Sequence, residues 1–352
     1  MYGCHVGFCK TLVATFKLAS KQGCTAFQFF LGSTRTYKRT QVTEHDLKQI
    51  QQYKMPMFIH SPYVFSLTHN FEKTKENLLH ELKVSGKVKN SAVVIHAGSY
   101  ASLNSLSDGV EAVVNNIKEL YKNDKDLGVL LIENMAGQGK MMPNTLETIA
   151  EILKKVDNKK VGWCFDTCHG FASGMVDLRK IVEIDKFYDE IEKQVGIESL
   201  KVIHLNDSEK SYDSHKDLHA NLKKGFIWKK HPEVLVYFIE KFKQIPMVAE
   251  TTDWDYDKSV IEEIIKIKCD KETIKASLTK DKDSASILLK LFASHNIRFN
   301  SLDNPKQFIE EAIKKDKELK FLEDHIPEAT RVLDQIFTSQ KKIVYSSFNP
   351  IG

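Results

Sequence analysis

Eight short apolar runs, spread along the first three quarters of the chain, most limit how this sequence can fold. Their length and their β-branched and aromatic content are typical of strands buried on both faces. Segments with helical spacing of apolar residues separate them, as between Leu146 and Val156. The runs are YGCHV (2–6), TAFQFF (25–30), MFIH (57–60), AVVIH (92–96), VLLIEN (129–134), VGWCFD (161–166), KVIHLN (201–206) and PMVAET (246–251).

Strands that alternate with helices indicate a parallel sheet, and eight strand–helix units match a (β/α)8 barrel. An open, doubly wound sheet would show the same alternation. The first run is not followed by G-x-G-x-x-G, which disfavours the dinucleotide-binding form of that sheet. We therefore predict an α/β protein with a TIM barrel over residues 1–268 and a mainly helical C-terminal extension over residues 269–352.

Six consecutive runs carry a histidine or a carboxylate at or next to their C-terminal ends. In a parallel barrel these ends meet at one rim, where TIM-barrel active sites are built. Clustered carboxylates would repel one another unless a cation offsets their charge, and imidazoles and carboxylates are common metal ligands. The six residues are His60, His96, Glu133, Asp166, His204 and Glu250. The pattern therefore predicts a metal centre.

Further candidate ligands follow the sixth and seventh runs. His169 lies three residues beyond Asp166, close enough to serve a second, neighbouring ion, so we expect more than one metal. The segment DSHKDLH contains two D-x-H units, and in an extended loop either unit can present an oxygen and a nitrogen to one ion. The units are Asp213–His215 and Asp217–His219, and residue types alone leave both open.

Bulk properties limit the class of protein less strongly. The formal net charge of +4 permits nucleic-acid binding without arguing for it. The N-terminal residues lack the form of a signal peptide, apolar runs are too short to span a bilayer, and the cysteines have no disulfide framework spacing. We expect an intracellular protein of cytoplasm or nucleus, or of a virion if the source is viral, with no membrane partner.

The motifs around these residues are GCHV (3–6), HSPY (60–63), IHAGS (95–99), IENMAGQG (132–139), FDTCHGFASG (165–174), IHLNDS (203–208) and AET (249–251). In this order and spacing the sequence resembles the endonuclease IV family of apurinic/apyrimidinic (AP) endonucleases. IENMAGQG together with FDTCHGFASG is the most specific part of the match. The resemblance covers the predicted barrel and stops before the extension.

The resemblance implies three zinc ions in the barrel mouth. Their ligands would be His60, His96 and a bridging Glu133 for the first; Glu133, Asp166, His204 and Glu250 for the second; His169, Asp217 and His219 for the third. Asp217 and His219 are chosen over the other D-x-H unit because that register aligns Leu222, Gly225 and Ile227 with the family's next loop. The family has small and acidic residues in this loop, whereas Lys223 and Lys224 stand here.

The resemblance also implies a function in base excision repair. The substrate would be duplex DNA with an abasic site, cut on the 5′ side to leave a 3′ hydroxyl and a 5′ deoxyribose phosphate. Glu133 and Glu250 would be the catalytic carboxylates. Arg35 and Tyr63 occupy the positions of residues that penetrate the duplex, although residue type alone suggests an ordinary exposed arginine and a packing aromatic. We expect phosphate contacts from Lys10, Lys38 and Arg39.

Other polar residues are given structural roles. His5 is expected to donate to a metal ligand, Cys164 to lie in the barrel core, and Cys168 to fill space on the rim. The alternatives for function are a metal-dependent sugar isomerase or epimerase on the same barrel, and a non-catalytic nucleic-acid-binding protein. We expect a monomer whose extension packs on the barrel, with partner binding or dimerisation as the extension's alternative role.

Overall fold

The computed structural model describes residues 1–123, 126–280 and 283–346. Eight parallel strands form one sheet in the order β1-β8-β7-β6-β5-β4-β3-β2. A parallel bridge from His5 to Gln28 brings β1 beside β2 and closes the sheet, which confirms the predicted TIM barrel. The strands are β1 (Tyr2–Cys4), β2 (Phe27–Phe30), β3 (Met57–His60), β4 (Ser91–His96), β5 (Val129–Glu133), β6 (Val161–Asp166), β7 (Leu200–His204) and β8 (Met247–Ala249).

Helices follow every strand, as the spacing of apolar residues predicts. They are α1 (Leu12–Lys21), α2 (Glu44–Ile50), α3 (Phe71–Gly86), α4 (Leu106–Tyr121), α5 (Leu146–Val156), α6 (Thr167–Ala172), α7 (Ile181–Gln194), α8 (Pro232–Lys241) and α9 (Trp254–Lys266). Two pairs of two-residue strands lie in the loops beyond the barrel, Gly98–Ser99 with Met141–Met142 and Asp207–Ser208 with His219–Ala220. Within the described ranges, no helix is both long and apolar enough to cross a bilayer.

Side chains of the strands alternate between two environments. One set packs outward against the helices, and the other fills the inside of the barrel, because successive residues of a strand face opposite ways. The inner set forms its own small apolar cluster of Ala26, Phe58, Ala92, Val94, Leu131, Cys164, Val202 and Val248. Cys164 is thus a barrel-core residue. This alternation decides which polar residues at the strand ends face inward.

The C-terminal extension is helical, as predicted, and packs on the barrel. Its helices are α10 (Lys271–Lys280), α11 (Ser284–Ser294), α12 (Pro305–Lys315) and α13 (Ile326–Ser346), with a 3-10 segment at Lys317–His325. Buried residues of the extension share one apolar cluster with α7 and α8. The carboxylate of Asp185 on α7 accepts from Phe299 N at 2.6 Å and from Lys241 Nζ at 2.7 Å. Residues 281–282 and 347–352 of the extension lie outside the described residues.

Candidate metal centre

Every predicted strand-end ligand occupies the last inward-facing position of its strand, or the next such position beyond it. His60 lies two residues after the inner residue Phe58, and Glu250 lies two after Val248. The same step relates the other four pairs, Val94–His96, Leu131–Glu133, Cys164–Asp166 and Val202–His204. The alternation of the strands therefore directs six ligand-type side chains to one end of the barrel. A cleft of about 740 Å³ opens above them.

The first group joins His60, His96 and Glu133. The Nε2 atoms of both histidines lie 3.2 Å from Glu133 Oε2. The Nδ1 atom of His60 lies 2.7 Å from the carbonyl of Ser61 and donates to it, which leaves the lone pair of Nε2 facing the carboxylate. Two acceptors at this distance repel each other unless a proton or a cation lies between them, so these residues fit a divalent metal.

The second group joins Glu133, Asp166, His204 and Glu250, with ligand atoms all within 4.8 Å of one another. His204 Nε2 donates to Gln28 Oε1 at 2.9 Å, and its Nδ1 lies 3.1 Å from Glu133 Oε1 and 3.2 Å from Glu250 Oε2. Because Gln28 takes the proton-bearing nitrogen, the other nitrogen of His204 is directed at the carboxylates.

The third group depends on a short helix. Asp166 caps α6, and its Oδ1 accepts from His169 N at 2.8 Å, which fixes the distance between these two side chains. His169 Nδ1 donates to the carbonyl of Asn134 at 2.9 Å. Its Nε2 then points to Asp217 Oδ1 at 3.0 Å, and His219 Nε2 lies 3.3 Å from the same oxygen.

Two buried nitrogens of the third group provide a test of metal binding. The Nε2 atoms of His169 and His219 have no hydrogen-bond partner among the described residues. Their contacts with Asp217 therefore lack hydrogen-bond geometry. Buried imidazole nitrogens without a partner are costly unless an ion completes them. One carboxylate oxygen and two imidazole nitrogens are a donor set that suits zinc.

The other D-x-H unit is not brought to the mouth. His215 Nε2 contacts Asp213 Oδ1 at 3.3 Å, and both side chains are at least half exposed. His215 Nδ1 lies 3.1 Å from the carbonyl of Ala136, and Asp213 and His215 both have a positive φ. Of the two units left open by the sequence, only Asp217 and His219 share a possible metal site with His169 among the described residues.

Nearby imidazoles keep Glu133 and Glu250 ionised. Burial raises the pKa of Glu133, but the nearby imidazoles of His204, His96 and His169 hold it well below its usual value. Burial also raises the pKa of Glu250, but the positive charge that His204 carries when no ion is bound outweighs burial and lowers this pKa to about 2. Ionised carboxylates are the form that binds cations.

The two cysteines beside the ligands remain thiols. Burial raises the pKa of Cys164 and of Cys168 to about 12. Cys164 faces the barrel interior, and Cys168 Sγ donates to the carbonyl of Leu218 at 3.5 Å. Because zinc binds thiolate rather than thiol, the structure agrees with packing roles for both.

Sequence reasoning missed the amides that hold the carboxylates. Gln28 is fully buried and donates from Nε2 to Glu250 Oε1 at 2.7 Å. Asn206 donates to Asp166 Oδ2 at 2.7 Å and accepts from Glu250 N at 2.9 Å. Gln28 has the signal that marks the ligands, since it lies two residues after the inner residue Ala26.

His5 forms a hydrogen bond with one of these amides. Among the described residues, it forms none with a predicted ligand. Its Nδ1 lies 3.2 Å from Gln28 Nε2, and burial lowers its pKa to about 4, so the neutral ring accepts from the amide. The expectation that His5 donates to a ligand was therefore wrong. The histidine instead orients Gln28, because β1 and β2 are neighbours where the barrel closes.

Arg35 and Tyr63 both lie on exposed loops beyond the strand ends. Tyr63 is 62% exposed, and its ring lies 5.6 Å from that of His96 at the edge of the cleft. Tyr63 N donates to the carbonyl of Thr34 at 3.2 Å, which joins the two loops next to Arg35. Lys10 and Lys38 are also exposed.

Arg39 was wrongly expected to contact phosphate. It is only 5% exposed, and its guanidinium is turned into the protein, where Nη1 lies 3.4 Å from Glu81 Oε1. Its Nη2 donates to the carbonyls of Ser33 and Thr36. Arginines are usually exposed, so nothing in the sequence indicates this burial.

The loop that departs from the family pattern keeps a turn suited to glycine. Lys223 has a φ of 61°, in the left-handed region, so the lysine adopts the turn with some strain. Its Nζ lies 3.4 Å from Glu263, and Lys224 Nζ lies 3.6 Å from the ring centre of Tyr256. Both lysines are thus engaged with the protein's own side chains.

Comparison with known proteins agrees with this architecture. The family described as "Xylose isomerase-like TIM barrel" matches residues 16–263. A probable endonuclease 4 of Halothermothrix orenii is 31% identical over 259 residues, which cover 71% of this chain and 92% of the relative. The chain belongs to the endonuclease IV family.

A second relative and a solved structure extend the comparison. A probable endonuclease 4 of Nitrosopumilus maritimus is 31% identical over 278 residues, covering 76% of this chain and 98% of that protein. The crystal structure of endonuclease IV from Thermus thermophilus superposes with a TM-score of 0.62 at 25% identity, over 74% of this chain and 99% of that one. All the predicted ligands lie inside the region matched by the family.

Proposed function

We propose that this protein is a DNA repair endonuclease that hydrolyses the phosphodiester on the 5′ side of an abasic site in duplex DNA. The products would carry a 3′ hydroxyl and a 5′ deoxyribose phosphate. The observation that carries the proposal is the convergence of three ligand groups in one open barrel mouth. Membership of the endonuclease IV family supports the class of reaction.

The ligand groups indicate which residues would hold three zinc ions. These are His60, His96 and Glu133; Glu133, Asp166, His204 and Glu250; and His169, Asp217 and His219. Bound zinc would offset the charge of the phosphodiester, make a water molecule more acidic and stabilise the leaving oxygen. The unpartnered nitrogens of His169 and His219 support the third site.

Two carboxylates would act as the catalytic groups. Glu133 is fully buried, and its two oxygens contact histidines of different groups, so it would set the separation between the first and second sites. Glu250 lines the cleft and keeps its negative charge. It would accept a hydrogen bond from the attacking water and orient it towards phosphorus.

Recognition of the abasic site would depend on side chains at the rim. Tyr63 and Arg35 are both exposed, and Tyr63 lines the cleft, so they would enter the distorted duplex. An abasic nucleotide has no base to unstack or unpair, which makes it the easiest nucleotide to extrude. Lys10 and Lys38 would contact phosphates, so affinity should fall steeply with salt.

A nicking assay on a duplex with one tetrahydrofuran abasic analogue tests the proposal. This analogue cannot undergo β-elimination, so cleavage that is abolished by chelator indicates metal-dependent hydrolysis. Glu133→Ala should abolish nicking while circular dichroism still shows a folded barrel. Full activity of that variant would refute the assignment of Glu133.

Metal content separates the alternatives. Three zinc ions per chain are expected by elemental analysis. A count without the third ion, with no nicking, would favour a sugar isomerase or epimerase, since those sites have no use for His169, Asp217 and His219 together. Binding of abasic duplex without cleavage in the presence of zinc would favour a non-catalytic DNA-binding protein.

A further inference from the structure

Glu81 is a buried acid just behind the rim that is neither a candidate ligand nor a substrate contact. It lies on α3 and is fully buried. Its Oε2 accepts from Ser61 Oγ at 2.6 Å, and its Oε1 lies 3.4 Å from Arg39 Nη1. The carboxylate therefore joins two loops, one following β2 and the other following β3.

The Arg39 branch gathers the loop after β2 around one guanidinium. Nη2 donates to the carbonyls of Ser33 and Thr36, and Nε donates to the carbonyl of Tyr37 at 3.2 Å. These carbonyls lie on both sides of Arg35 in the chain. His80, also on α3, contacts the carbonyl of Thr40 at 3.0 Å. Residues of α3 therefore hold the backbone of the loop that carries Arg35.

The Ser61 branch reaches the first ligand group. The carbonyl of Ser61 accepts from His60 Nδ1 at 2.7 Å, and Ser61 N donates to the carbonyl of Val94 at 2.8 Å. The hydroxyl bond to Glu81 therefore helps to fix the peptide group that orients the His60 imidazole. Outer hydrogen bonds of this kind set which nitrogen of a histidine faces a metal.

Stability alone is a weak reason for this arrangement. Desolvation of a buried carboxylate and a buried guanidinium offsets most of their attraction, and apolar residues of similar size often serve stability as well. Arg39 and Glu81 are only 1% and 0% exposed at their side chains. The contacts they make with loop carbonyls and with Ser61 are directional, which apolar residues cannot reproduce.

We propose that Glu81 is a positioning residue. Through Arg39 and Ser61 it fixes the Arg35 loop, residues 31–40, relative to the His60 imidazole. The roles of Arg35 and His60 rest on the proposed function, whereas the contacts of Glu81 that position them do not. The two branches are separable, because Arg39 acts on the loop and Ser61 acts on the histidine.

A first experiment needs no substrate. Glu81→Gln in the full-length protein keeps the size of the side chain, but an amide has one acceptor oxygen and cannot accept from both partners. We expect faster amide hydrogen exchange in residues 31–40 and an affinity for zinc about tenfold weaker in competition with a chelator. Glu76→Gln, an exposed position on the same helix, should change neither. Wild-type exchange or wild-type zinc affinity in Glu81→Gln would overturn the proposal.

A second experiment separates the branches with milder substitutions. Arg39→Lys keeps the charge but loses the fork of donors, so KM for the tetrahydrofuran duplex should rise about tenfold with kcat within about twofold. Ser61→Ala should weaken zinc binding and leave KM unchanged. In an Arg35→Ala background, Arg39→Lys should add little, because it acts through Arg35.

The outcomes of the second experiment are distinct. The proposal would be overturned if Arg39→Lys and Ser61→Ala lowered kcat and raised KM to the same extent. Additive effects of Arg35→Ala and Arg39→Lys would also overturn it, because Arg39 and Glu81 would then have only a structural role. If the wild-type protein does not nick the duplex while Glu81→Gln changes loop exchange and zinc affinity as expected, the proposed function fails and the positioning role stands.

Discussion

At the scale of single residues, neutral amides hold the charged mouth together. Gln28 and Asn206 each contact Glu250 and a second member of the second ligand group, and neither adds charge to it. An amide can donate to a carboxylate and accept from an imidazole at the same time. The orientation of Glu250 and His204 should therefore depend on Gln28.

Replacement of Gln28 with methionine, of similar size, tests this dependence. The variant loses the donor to Glu250 and the acceptor for His204, so both side chains can rotate. We expect the nicking rate on the tetrahydrofuran duplex to fall about 10–100-fold, with weaker zinc binding. The exposed Gln52→Met is the matched control. An unchanged rate with full zinc content would show that the amide is dispensable.

Single residues also mark what a sequence can and cannot reveal. The convergence of the six strand-end side chains could be predicted, because histidines and carboxylates stand out at the ends of apolar runs. Gln28 stands at the matching position of β2, but it was missed because an amide is unremarkable in sequence and its partner Glu250 lies 222 residues away. The burial of Arg39 was missed for a related reason, since the carbonyls that receive it become neighbours only when the loop folds.

At the scale of elements, the loop between β7 and α8 brings Asp217 and His219 to the mouth. Its two ends are joined by Asp207, whose Oδ1 accepts from Ser208 N at 2.8 Å and from Ile227 N at 2.9 Å. The sequence predicted the D-x-H unit by family register. It could not show that a buried aspartate closes the loop.

Gly225→Ala should disturb this closure. A Cβ there would lie 2.3 Å from the carbonyl oxygen of Ser208 and 2.5 Å from Asp207 Oδ1, so the backbone must move. We expect elemental analysis to fall from three zinc ions to two, with loss of nicking and a folded barrel. Gly7→Ala is the control, because a Cβ at Gly7 meets nothing within 4 Å. Full occupancy of three ions would contradict the prediction.

The same aspartate gives the loop a pH dependence. Burial raises the pKa of Asp207 to about 6, despite hydrogen bonds from backbone amides that lower it. The folded state therefore binds the proton more tightly than the unfolded state, and the contribution of Asp207 to stability falls as pH rises from about 4 to about 6.

Asp207→Asn, which does not titrate, measures this contribution. Relative to the variant, the wild-type free energy of unfolding should fall by at most about 3 kcal/mol between pH 4 and pH 7. Urea unfolding of both proteins at several pH values gives the difference. A difference that stays constant, or that rises with pH, would contradict the raised pKa.

At the scale of the whole molecule, the extension and the barrel share one apolar core. Phe299, in the extension, is fully buried and stacks on Phe308 with ring centres 4.4 Å apart. Its ring also meets Tyr237 of α8, with ring centres 5.6 Å apart.

The helices of the extension could be predicted from apolar spacing. Their position on the barrel could not be predicted, because the sequences of α7 and α8, which they cover, have the pattern of ordinary amphipathic helices. A boundary at residue 268 remains a prediction about domains.

This shared core predicts that barrel and extension unfold together. Phe299→Ala should lower the free energy of unfolding by about 3–5 kcal/mol, because it leaves a cavity against both parts. Urea unfolding should show one coincident transition by circular dichroism, which reports on both parts, and by fluorescence of Trp163 and Trp228, which reports on the barrel. Nicking by the folded variant should be unchanged, as the substitution lies away from the mouth.

The control is Ile265→Ala, at a half-exposed site, which should lower the free energy of unfolding far less. If the barrel transition of Phe299→Ala matched the wild type while only a separate extension transition moved, the extension would be an independent domain free to serve a partner.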